Sequence, residues 1–213
     1  MKAHILLKSL TASTVLLGAL SNAEASLVSV AGPNSSRGAA PAIILAPATL
    51  NNDVAFNLGQ QGFDERQCVL LPSSLEVDDG IIAAGTLVSS HMIFMNQQNN
   101  TTGGTDHTGV EWTFDGLILG VMSDNNGNLE AASTPILGAP ASGYGAPFNN
   151  RGLESNDSYS FLGNVLTFNS HITQPGDWIR VVTAAQCVPD ATGLGTAALG
   201  FLSLLIATRR SRK

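Results

Sequence analysis

Four oxygen-bearing side chains at alternate positions, Asp124, Asn126, Asn128 and Glu130, are the part of this sequence that comes nearest to a metal loop. Calcium takes about six to eight oxygen ligands, and this run has the chemistry for part of such a shell. The spacing then fails. An EF-hand loop needs glycine at its sixth position and glutamate at its twelfth, where this chain has Leu129 and Pro135. With Asn126-Gly127 between apolar runs, the same residues read as a hairpin turn. The turn is the expectation and a calcium site the alternative.

Other reactive side chains are scattered. His91, His107 and His171, with Asp106 and Glu111, have the types that bind zinc or a similar ion. Only the adjacent Asp106-His107 lies close in sequence, so histidines satisfied within strands or exposed on them are expected instead. Serines are plentiful, yet Gly-x-Ser-x-Gly is absent. Asp78-Asp79, or Glu154 with Asp157, would serve glycoside hydrolysis only if held roughly 5 to 10 Å apart around a cleft. Phosphate loops and dinucleotide fingerprints are missing. The expectation is a protein that is not an enzyme, with no catalytic residue and no resident cofactor; the alternative is a secreted glycan-active hydrolase.

Both ends read as sorting segments. Lys2 and Lys8 precede an apolar run to Leu20, and Ala23-Glu24-Ala25 supplies the small residues a signal peptidase reads, so residues 1–25 form a signal peptide cut after Ala25. At the other end stand Val188-Pro189-Asp190, a charge-free run 191–208, and Arg209, Arg210, Arg212 and Lys213. Eighteen residues of helix span roughly 27 Å, a minimal transmembrane length. Asp190 suits the helix N-terminus. The basic cluster is retained on the cytoplasmic side, which puts the residues before 188 outside.

A proline-containing signature, an apolar helix and an arginine cluster, in that order, resemble the PEP-CTERM sorting signal of exported bacterial proteins. The resemblance implies recognition by an exosortase-like membrane transpeptidase that cuts near the motif and passes the protein to the envelope or extracellular matrix. Residues 188–193 read Val-Pro-Asp-Ala-Thr-Gly, without a second proline or a glutamate, and so look like the Val-Pro-Asp variants. Four phrases, at residues 85–91, 114–121, 151–154 and 175–181, resemble a core found in exported PEP-CTERM proteins of unassigned function. That core implies a β-rich surface domain.

Residues 26–187 are then one domain, with 14 acidic residues against four arginines and no lysine, a net charge of −10. Such a surface repels phosphate backbones, which argues against nucleic-acid binding. Cys68 and Cys187 are the only cysteines, and in an oxidising compartment a disulfide between them is expected, with two buried thiols as the alternative.

Apolar runs at 42–45, 54–58 and 68–71 read as short strands. A strand is expected over 86–95, and the alternating run 108–122, whose register shifts at Gly116, reads as one long strand or as two strands joined by a bend. A hairpin turns at Gly163-Asn164, and a last strand covers 178–183. Residues 26–40 read as a flexible start, and 132–153 as a long loop rich in glycine and proline. The fold class is all-β, a β-sandwich or jelly-roll-like domain between an N-terminal signal helix and a C-terminal transmembrane helix. Trp112, Tyr144 and Trp178 are the residues to contact a ligand such as exopolysaccharide. The function expected is structural or adhesive.

Overall fold

The computed structural model describes residues 26–187 apart from 52, 99–102, 146, 147, 149 and 150. The signal segment with Ala25, the sorting motif Val188, Pro189 and Asp190, and Arg209 and Arg210 lie outside the described residues. Residues 26–187 belong to one compact unit.

The domain is mostly β-sheet with one short helix. Its strands are β1 (Leu27–Ala31), β2 (Ala42–Ile43), β3 (Gln61–Asp64), β4 (Val69–Leu70), β5 (Leu75–Val77), β6 (Gly80–Ile82), β7 (Leu87–Asn96), β8 (Thr105–Phe114) and β9 (Ile118–Met122). After the helix α1 (Asn128–Leu137) come β10 (Ser158–Leu162), β11 (Val165–Ile172) and β12 (Gly176–Ala184). One sheet runs β1-β8-β11-β10. A second runs β2-β3-β7-β12-β9, with β4 also on β7, and β5 and β6 form a separate hairpin.

Side-chain periodicity explains how the layers stack. In β11 buried and partly exposed residues alternate, so the first sheet has one inner face and one wet face. By contrast β7 is buried at every position after Leu87, and β12 at every position before Ala184. Both faces of the second sheet are therefore covered. Ile93, Ile179 and Val181 meet Val110, Trp112, Phe114, Leu166 and Phe168 of the first sheet. On the opposite face Val88, Met122 and Val182 pack against Leu71, Leu75, Val77, Ile82 and Leu137, bringing in the β5–β6 hairpin and α1. Beside them Phe63, Met92, Phe94 and Trp178 pack under Leu50, Ala139 and Tyr144.

The alternating run is two strands joined by a bend at Gly116, and the bend carries the chain from β8 in the first sheet to β9 in the second. A Cβ on Gly116 would stand 2.0 Å from the Ala184 carbonyl oxygen, so only glycine fits there. The hairpin at Gly163 also forms, with Leu162 opposite Val165 and Gly163 at φ 65°.

Four expectations need correction. Residues 26–40 are not wholly irregular, because β1 zips onto the edge of β8 and buries Leu27. Residues 54–58 are not a strand; the Val54 and Ala55 N–H groups turn back onto the Asn51 carbonyl. The stretch after Asp124 is not a hairpin, since Gly127, at φ 63°, turns the chain into α1. The loop expected over 132–153 accordingly begins only at Gly138. Pro135 sits inside the helix, where the Ser133 and Thr134 hydroxyls donate back to the Leu129 and Glu130 carbonyls.

Cys68 and Cys187 form a disulfide, with Cα atoms 5.8 Å apart and a sequence separation of 119. Closing so long a loop removes chain entropy worth about 4 to 5 kcal/mol from the unfolded state. Reduction, or Cys187→Ser paired with Cys68→Ser, is expected to lower the urea midpoint by a corresponding amount, read on the same sample with and without reductant.

Candidate functional site

The densest chemistry lies in the interior, under α1. Arg180 in the middle of β12 is fully buried, and each of its donors is used. Nε and Nη2 clamp the Glu65 carboxylate at 2.7 and 2.8 Å. Nη1 donates to the Glu130 carbonyl and the Ser133 hydroxyl, and Nη2 also reaches the Thr134 hydroxyl at 3.1 Å. Tyr144 donates to Glu65 Oε1 at 2.5 Å and accepts from the Ala139 N–H. Burial, then the neighbouring Glu65 carboxylate, pushes the Tyr144 hydroxyl well up.

The helix is held at both ends as well. Asp124 accepts from the N–H groups of Asn128 and Leu129, where a carboxylate suits the helix N-terminus. Ser90 donates to the Leu137 carbonyl and Arg66 to that of Gly138. Glu130 turns inward with 1% exposure, and neither carboxylate oxygen has a hydrogen-bond partner. Burial first, and then Asp124, raises its carboxyl to about 8. A carboxyl kept protonated at neutral pH is what a general acid requires, but this one is sealed from any substrate.

A second network gathers at the start of β12. The Trp178 indole N–H donates to Asn96 Oδ1 at 2.6 Å, and the Arg151 guanidinium lies 4.4 Å over the same ring while donating to that oxygen. Burial lowers Arg151 to about 10. Asp177 is buried with Oδ2 unpartnered, and burial, then Asp157 and Glu154, raise it to about 8.

One constellation imitates catalytic geometry. Asp64 Oδ1 lies 2.7 Å from His91 Nδ1, and His91 Nε2 lies 3.1 Å from the Thr183 hydroxyl, the contact order of a hydrolase relay. Thr183 and His91 are both fully buried, and His91 packs against Phe114. No acyl group can reach that hydroxyl, so the relay ties β3, β7 and β12 together. Separation in sequence hid it.

The predicted residues thus fall in different places. Trp112, Tyr144 and Trp178 were expected at a ligand surface and are instead interior, because the second sheet has a cover on each face. Their polar atoms are satisfied by Gln60, Glu65 and Asn96. The calcium candidates do not converge as a loop: Asp124 caps α1, Glu130 is buried, and Asn126 and Asn128 are exposed. Among the histidines, His107 accepts from the Gln60 N–H at Nδ1 and faces the Pro33 carbonyl at Nε2, and burial lowers its pKa. His171 pairs with Asp106, which raises it. Among the described residues no group of three or more histidine, cysteine or acidic side chains could hold a metal ion.

No family model, curated protein or solved structure matches the chain.

Two measurements probe the networks. Arg180→Met leaves Glu65 as a buried charge with only Tyr144, and is expected to cost about 3 to 5 kcal/mol; adding Glu65→Leu should recover much of that loss. Urea midpoints of the two variants decide this.

The second is pH. Glu130 and Asp177 keep their protons to about 8 when folded, against 4.5 and 3.8 when unfolded. The folded chain therefore binds more protons within that window. Their contribution is complete below about pH 4 and is lost as pH rises through about 8. His107 works in the opposite sense, its contribution being complete above about 6.5 and lost as pH falls below that value. Urea midpoints should fall from about pH 6.5 to about pH 9, and Glu130→Gln should flatten that fall.

Proposed function

We propose that this chain is an exported surface protein of the cell envelope or extracellular matrix, with a structural or adhesive role. An exosortase-like transpeptidase is its processing partner. Residues 1–25 direct export, and 188–213 carry a Val-Pro-Asp-type PEP-CTERM sorting signal. The apolar run 191–208 anchors the protein in the membrane until it is processed.

The observation that carries this reading is the Cys68–Cys187 disulfide, which ends one residue before Val188. A structural disulfide belongs to an oxidising compartment, and this one fixes the root of the sorting segment to the folded domain. The lysine-free, acidic composition of residues 26–187 supports life outside the cell, away from nucleic acid. The buried aromatics leave no carbohydrate platform at Trp112, Tyr144 or Trp178. Any adhesive contact therefore belongs to the outer face of the first sheet or to the loops.

Mass spectrometry of the mature protein from a producing bacterium tests the proposal. The expected species begins at Ser26, retains the disulfide, and ends before Arg209. A mature chain that still carries residues 209–213 would remove the transpeptidase and leave a plain anchor.

A further inference from the structure

One end of the domain is depleted of charge, and the chain leaves from it. Six segments converge there. Asp115 donates its N–H to the Ser26 carbonyl, Phe114 and Ile118 donate to Asn164 and Gly163, Ala184 donates to Leu117, and Ala185 donates to Leu87. Leu70 pairs with Leu87, while Leu71 exchanges backbone bonds with Gly85 and Thr86. Across residues 26–28, 68–72, 83–88, 114–118, 161–165 and 184–187, Asp115 is the only charged side chain.

The same end exposes Leu162 at 87%, Leu70 at 64%, Leu117 at 60% and Leu87 at 41%. The exit strand runs between Leu117 and Leu87, which accept the Ala184 and Ala185 N–H groups. The opposite end, where Gly176 pairs with Asn96 and Thr105 with Ile172, is rich in charge. Asp106 pairs with His171 there, Asp157 accepts the His171 N–H, and Glu154 and Asp177 lie close by.

We propose that the leucine-bearing end rests on the lipid bilayer, with Leu70, Leu87, Leu117 and Leu162 entering the interface and the acidic end facing away. This inference rests on the anchoring reading above, and the length of the connecting chain commits it to lipid. Only residues 188–190 separate Cys187 from the charge-free run, so Cys187 stands within about 14 Å of residue 191 even when the link is fully extended. Cys187 has no slack of its own, being bonded to Cys68. A domain held so close must lay some surface on the membrane. Acidic faces are repelled by anionic headgroups, whereas exposed leucines gain from the apolar interface.

Tryptophan quenching tests this on the exported chain, residues 26–213. The protein is reconstituted in phosphatidylethanolamine–phosphatidylglycerol vesicles whose acyl chains are brominated. Trp112 and Trp178 are buried and supply a constant background. Leu162→Trp is expected to add emission that brominated lipid quenches about twofold, since interfacial groups reach about 5 to 10 Å into the boundary. Val54→Trp, an exposed position whose neighbour Ala55 accepts from the Asn96 side chain, should add emission that is not quenched.

Protein that floats with the vesicles while the Leu162→Trp indole stays unquenched overturns the docked end and leaves the anchor standing. Protein that fails to float overturns both. A blue shift at that indole without quenching, growing with the protein-to-lipid ratio, assigns the surface to a second copy and also overturns the proposal.

Discussion

The fold depends on the ion pair between Arg180 and Glu65. Arg180 lies on β12, an interior strand of a sheet covered on both faces, where water cannot reach it. A guanidinium in such a place must find its full set of acceptors or destabilise the sheet by several kcal/mol. Glu65 supplies two of the acceptors, and α1 supplies the rest through one carbonyl and two hydroxyls. The requirement fixes where α1 sits along β12, because a shift of one helical turn would strand the Nη1 donors. A leucine at 180 would pack well enough, but it would say nothing about register.

The same constraint accounts for what is buried around it. Tyr144 reaches Glu65 only if the chain after α1 folds back across the sheet, so the stretch at 138–144 is a lid tied down by polar bonds. Farther along β12, Trp178 and Arg151 repeat the device around Asn96. The cover layer therefore holds by hydrogen bonds at chosen points and by apolar packing between them. That is why large aromatics with polar tips, Tyr144 and Trp178, point inward.

How much of this was legible follows from periodicity. β11 declares itself by alternation, β7 by a long apolar run, and the bend at Gly116 by a shift of register; the Gly163 hairpin has a turn signature. α1 escaped because its residues, Asn-Leu-Glu-Ala-Ala-Ser-Thr-Pro-Ile-Leu, are mostly small or polar and include a proline. Its stability comes from Asp124, Ser90, Arg66 and Arg180, which lie outside the segment and leave no local mark. The aromatics were misplaced for a related reason. Tryptophan in an alternating strand reads as a surface feature only if one face of the sheet is wet, and nothing local says that Trp178 faces a covering layer. The Asp64–His91–Thr183 relay spans three strands and has no spacing to read.

The covalent tie at Cys187 changes how force enters the domain. In an anchored chain, tension arrives at residue 188 and meets the disulfide before it meets any hydrogen bond of β12. Part of that load passes to Cys68 and β4, which pairs with β7 at Val69 and Leu70. The remainder reaches β12, which lies between β7 and β9 with ladders on both sides. Pulled along its length, a strand so placed opposes the load with many hydrogen bonds at once, and Arg180 resists sliding because its acceptors stand on α1. The disulfide, the two ladders of β12 and the ion pair thus follow one another along the chain segment that leads back from Cys187 into the sheet.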